Sequence, residues 1–117
     1  MLKDKDCISP VIVDFGLAVY TDQEDYIYYK CGTPGFISPE ILQTNNKEKI
    51  STLSDIFSAG VIFHILLMGK YVFTGKDPKE IYESNKKLNI NLNKLEYEKL
   101  DSSALELLKK MLSIDVN

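Results

Sequence analysis

Asp14, Phe15 and Gly16 close a β-branched run, Pro10-Val11-Ile12-Val13. A carboxylate on a sharp turn behind a strand is placed to face a metal ion or a phosphate. A hard divalent cation prefers carboxylate oxygen, and glycine permits the change of direction. Three letters recur by chance, so the triplet alone identifies nothing. A second constellation follows at Cys31-Gly32-Thr33-Pro34-Gly35-Phe36-Ile37-Ser38-Pro39-Glu40. Its glycines and prolines fix the backbone tightly. Ser38 is expected to cap a short helix over Pro39–Gln43, with Pro39 at the first position and Glu40 favourable to the helix dipole. Between the two lies Tyr20–Lys30, rich in Tyr, Asp and Glu with no period, which reads as a surface loop.

These groups need a scaffold, and residues 55–68 supply its centre. Eleven of the fourteen are apolar or glycine, broken only by Asp55, Ser58 and His64. A helix hydrophobic on all sides is buried in a core or in a membrane. Fourteen residues fall short of the roughly 20 a membrane span needs, so a central buried helix over 52–69 is expected. Thr52-x-x-Asp55 fits a capping box, and Gly69 a C-terminal cap. Asp77-Pro78-Lys79-Glu80 starts another helix, expected to reach Lys87. Ser103-x-x-Glu106 starts a third, with Ala104, Leu107, Leu108, Met111 and Leu112 on one face. Pro10–Val13 and Leu17–Val19 are expected as short strands. The fold class is therefore α+β, predominantly α-helical, in one domain.

The chain has 117 residues, 44% hydrophobic and 26% charged, with a net charge of −3. Such a composition suits a globular domain and argues against a nucleic-acid surface. One histidine and two cysteines, Cys7 and Cys31, leave no zinc-ligand spacing and no disulfide framework. The charged start, Met1-Leu2-Lys3-Asp4-Lys5-Asp6, has no apolar signal region. No membrane association is expected, and an intracellular, cytoplasmic setting is.

The order and spacing of Asp14-Phe15-Gly16, Gly32 to Ser38-Pro39-Glu40 and the Asp55-led helix resemble the C-terminal lobe of a protein kinase. Ser38 stands where the family carries alanine. The likeness runs from Val11 to Asp115. It implies a partial kinase domain over 1–117, with an activation segment at 14–40 and the central helix at 52–69. ATP and Mg2+ are the implied cofactors of the complete domain. Asp14 would hold the metal, and Asp14, Phe15 and Gly16 would face the nucleotide. Thr33 resembles the threonine that contacts the catalytic aspartate. Gly32, Thr33, Pro34, Gly35, Phe36 and Ile37 resemble the segment that cradles a protein substrate. The sequence there, with no tryptophan, resembles serine/threonine kinases, and within them most the calcium/calmodulin-dependent group. Calcium/calmodulin-type regulation is an open possibility on that likeness.

Four further residues take structural roles by the same resemblance. Glu40 matches a glutamate paired with a buried arginine, but this chain contains no arginine. Asp55 matches an aspartate that bonds the catalytic loop, and Ile62 and Leu66 match residues beneath the adenine. Tyr29 stands where the activating phosphothreonine usually lies, so activation without a threonine there is expected. His64 is expected as a hydrogen-bonded residue of the core or of a groove edge, without a catalytic role. The 117 residues contain no Gly-x-Gly-x-x-Gly, no strand lysine paired to a helix glutamate and no His-Arg-Asp. Without a catalytic base, a second metal ligand and an N-terminal lobe as partner, phosphoryl transfer by this chain alone is not expected. Three readings stand: a kinase fragment, a non-catalytic binding module docking partners through Gly32–Ile37 and the helix after Asp77, or an unstable relic. An exposed apolar patch and weak autonomous stability are expected in each.

Overall fold

A computed structural model describes residues 9–22, 30–43, 51–92 and 94–113. Among these residues four α-helices form: α1 (Pro39–Gln43), α2 (Leu53–Met68), α3 (Pro78–Lys86) and α4 (Ser102–Met111). One-turn 3-10 segments form at Phe15–Leu17 and Leu95–Tyr97. Among the described residues no strand forms over Pro10–Val13 or Leu17–Val19. The β-branched run has the propensity, but pairing stops at a single bridge at Pro10 and does not extend into a ladder over 11–13. Val11, Ile12 and Val13 stay exposed instead. No helix among the described residues is long and apolar enough to cross a membrane.

The central helix forms over nearly the expected span, but it is not buried all round. Ser54, Phe57, Gly60, Val61 and His64 make a buried stripe at helical spacing. Leu53, Ile56, Ile62 and Leu66 lie on the other side, exposed, Leu66 by 78%. Gly69 ends α2 in the left-handed region at φ 66° and donates its N–H to the Ile65 carbonyl. The expected box at the start does not form. Thr52 makes no side-chain cap bond, and the Ser51 hydroxyl accepts from the Leu53 N–H instead.

The buried stripe of α2 packs against α4. Phe57, Val61, Phe73, Leu108 and Leu112 form the core, with Phe57 and Phe73 stacked 6.4 Å apart. Gly60 sets the closeness of this crossing: a Cβ there would stand 2.8 Å from Met111 Cβ. Of the expected apolar face of α4, Leu108 and Leu112 are buried, while Leu107 is 49% exposed. Helix α4 also starts earlier than expected. Asp101 caps it, its Oδ1 accepting from Ser103 and Ala104, so Ser103 lies inside the helix. A carboxylate at the N-cap is as good an acceptor as a hydroxyl and also suits the dipole.

Helix α3 keeps its expected start. Asp77 Oδ1 accepts from Glu80 N at 2.8 Å, and Glu80 Oε2 accepts from Lys76 N at 2.8 Å. Helix α1 packs on α3, tied by Gln43 Nε2 donating to the Lys86 carbonyl. The expectations for Met1–Asp6, Cys7, Tyr29, most of the acidic loop and Asp115 lie outside the described residues.

Candidate functional site

Asp14 adopts φ 65°, ψ 76°, one of two non-glycine residues with positive φ among the described residues. That region is unfavourable for a side chain bearing a Cβ and is most accessible to Asp and Asn. The carboxylate stabilises its own turn, Oδ1 accepting from the Gly16 N–H at 3.3 Å. Phe15, 68% exposed, starts the 3-10 turn and packs into no core. The second carboxylate oxygen has no partner among the described residues, so the turn presents one open hard-oxygen ligand. Among the described residues no three acidic, His or Cys side chains gather into a metal cluster. A single carboxylate nevertheless suits Mg2+, which keeps several waters and shares its remaining positions with phosphate oxygens.

The Gly32–Ile37 segment is held very differently. The Gly35 N–H donates to Asn85 Oδ1 on α3 at 3.0 Å, in a buried position. Gly35 has φ 90°, and a Cβ there would meet Ile81 at 3.3 Å. The Ser58 hydroxyl on α2 lies 2.8 Å from the Phe36 carbonyl and 3.1 Å from that of Ser54, so its one proton serves the nearer acceptor. Ile37, Ser38 and Pro39 are buried behind the segment. Thr33 and Cys31 are exposed. Ser38 makes no cap bond; its buried hydroxyl and Asn85 Nδ2 are both unpartnered.

Beside this segment opens a cleft of about 290 Å3, walled by Thr33–Phe36 on one side and Tyr71–Gly75 with Ile81 on the other. Its floor includes Val61, and Phe36 meets Tyr71 edge-on at 6.5 Å. The cleft is mostly apolar, with the Thr33 and Thr74 hydroxyls as its side-chain polar exceptions besides the Tyr71 phenol. Neither acid nor base lines it.

The structural residues divide likewise. Glu40 is half-buried and accepts from the Ser54 hydroxyl at 3.0 Å, a neutral donor where the resemblance implied a cation. Asp55 is exposed at the first turn of α2. Ile62 and Leu66 form part of the exposed apolar face. His64, by contrast, is the hydrogen-bonded core residue expected, at 1% exposure. Sequence reasoning missed Asn85 and Ser58, because a polar residue in a helix carries no mark of the backbone group it will meet across the fold.

The whole chain, residues 1–117, matches the protein kinase domain family. It is 37% identical over 105 residues to calcium-dependent protein kinase 3 of Plasmodium yoelii yoelii, covering 89% of this chain and 19% of that protein. It is 31% identical to serine/threonine-protein kinase 17A of Oryctolagus cuniculus, over 86% of this chain and 25% of the relative. The chain thus spans a quarter or less of the curated relatives it matches here. In fold it is similar to the twitchin kinase region of C. elegans, with a TM-score of 0.59 at 23% identity, over 69% of this chain and 14% of that one.

Proposed function

This chain belongs to the protein kinase domain family, and from that premise we propose that it supplies the C-terminal-lobe portion of a serine/threonine kinase catalytic domain. ATP and Mg2+ are the family's general cofactors. In this chain Asp14 is the residue that would hold the cation. A divalent ion bound there would supply neutralisation of charge on a transferring phosphoryl group. The residues of the chain orient and bind around that chemistry. The Gly16 N–H fixes one Asp14 oxygen and leaves the other free for a ligand. The Thr33 hydroxyl, exposed at the edge of the segment, would meet a catalytic aspartate. Gly32–Ile37, braced by Asn85 and Ser58 from beneath, would receive the protein substrate.

The observation that carries this reading is the strained Asp14 turn. A left-handed backbone at a residue that is not glycine, with one carboxylate oxygen folded back onto the Gly16 N–H, fixes the direction of the other, and such backbone collects where function requires it. The exposed α2 face, Leu53, Ile56, Ile62 and Leu66, is where we place the remaining parts of the domain, including the N-terminal lobe. Regulation linked to calcium and an intracellular setting belong to the same reading.

The test is direct. The longest reading frame containing these residues is expressed and assayed with Mg-ATP and matched serine, threonine and tyrosine peptides. Serine or threonine phosphorylation is expected, and Asp14→Asn should abolish turnover while leaving peptide affinity nearly unchanged. Tyrosine phosphorylation, or full activity in the Asp14→Asn variant, would overturn the proposal.

A further inference from the structure

His64 is the only histidine in the chain, and it is buried on α2 with both ring nitrogens engaged. Nδ1 lies 3.1 Å from the Lys70 carbonyl and Nε2 lies 2.9 Å from the Tyr97 hydroxyl. A carbonyl can only accept, so Nδ1 carries the proton. Nε2 is then bare and accepts the proton of Tyr97. Tyr97 belongs to the Leu95–Tyr97 turn, whose Glu96 also pairs with the Lys70 side chain. One short turn is thus clasped twice, to α2 and to the linker that leaves α2. That linker continues directly into the Tyr71–Gly75 wall of the apolar cleft.

We infer that His64 is a pH-sensitive latch that fastens the Leu95–Tyr97 turn to α2 when neutral and releases it on taking a second proton. The proton balance is simple. A proton from solvent adds to Nε2 and no other bond changes order. Nε2 then becomes a donor facing a donor, and the Tyr97 phenol must turn its own proton away. Tyr97 is buried, at 6% exposure, and offers that proton no second acceptor among the described contacts. The Nδ1–H bond to Lys70 survives, so the break falls on the Tyr97 side.

Against burial, which disfavours a second proton, the bond to the Lys70 carbonyl favours it; the Lys70 ammonium opposes it and the Glu96 carboxylate favours it. The Tyr97 phenol faces Nε2 at 2.9 Å. Burial dominates and holds the His64 pKa below its ordinary value. The inference concerns the clasp itself and goes beyond the kinase reading. It stands or falls without any assay of phosphoryl transfer.

A single histidine makes the experiment unambiguous. The full chain, labelled with 15N, is titrated from pH 7.5 to 5 while long-range 1H–15N correlations report both ring nitrogens. The protonated Nδ1 tautomer is expected at pH 7.5. The ring and the amides of Lys70 and Leu95–Glu98 should then share one midpoint below 6.5, with the amides of α4 unmoved. Tyr97→Phe should raise the midpoint by about one pH unit, since it removes a bond made only to the neutral ring. An Nε2–H tautomer at pH 7.5, turn amides that ignore the ring, or collapse of all amides together would each overturn the latch. So would an unchanged midpoint in Tyr97→Phe. Should that variant not fold, the titration of the unsubstituted chain decides alone.

Discussion

Residues 9–22 and residues 53–113 are built on opposite terms. In the later region, apolar side chains from α2, the linker and α4 meet in one core, with Leu108 wholly buried. In the earlier one, Val11, Ile12, Val13, Phe15, Leu17 and Tyr20 are all exposed. The two parts of the candidate site fall on either side of this divide. The Gly32–Ile37 segment inherits its shape from helices beneath it, through Asn85 and Ser58. The Asp14 turn depends on a hydrogen bond two residues long. A binding surface can thus be supported by packing in one part and by local chemistry alone in another.

Paired truncations should make the contrast plain. Leu108→Ala removes a fully buried side chain and should cost about 2–5 kcal/mol in chemical denaturation. Phe15→Ala should leave the unfolding free energy within about 0.5 kcal/mol, as exposed positions do. Equal losses would erase the distinction. Gly60→Ala comes next. The added methyl would press on Met111 and Leu112 across the α2–α4 crossing, and overpacking of this kind costs about 1–3 kcal/mol. Asn85→Ala should cost about 1–3 kcal/mol, because it strands the buried Gly35 N–H without an acceptor. Its amide exchange should quicken at Gly35 and stay unchanged at Gly16.

The mildest effect is that of pH, and it too is confined to the packed region. Burial lowers the His64 pKa from its ordinary 6.5, so the unfolded chain takes up that proton first. Stability should therefore fall as pH drops below about 6.5, and level off once the folded ring also titrates. Burial, with help from Glu96, raises the Tyr97 pKa above 10.0, so the unfolded chain loses the phenolic proton first. Stability should fall again above pH 10, and Tyr97→Phe should remove that alkaline limb from a midpoint-against-pH series.

Much of this was readable in the amino acids because it rests on short-range rules. Pro39, Asp77-Pro78 and Gly69 place helix ends through local hydrogen bonds, and each end is where those rules put it. The greasiness of α2 announces a helix, but it does not say which stripe a neighbour will cover. That is settled by Gly60, the small residue that lets α4 approach. The strand expected at Pro10–Val13 fails for a related reason. Propensity belongs to the segment, whereas pairing belongs to whatever lies beside it. In the candidate site, Asp14 and Gly32–Ile37 stand out through turn chemistry. Their supports, Asn85, Ser58 and Ser54, are ordinary polar residues whose partners lie 50, 22 and 14 positions away.

The bond between Ser54 and Glu40 has a consequence of its own. Two opposite charges at this joint would respond to dissolved ions wherever water reached them, over a screening length of about 8 Å at 0.15 M. A hydroxyl meeting a carboxylate is a dipole meeting a charge, and its strength is set over a single contact. The joint between α1 and α2 is therefore indifferent to ionic strength.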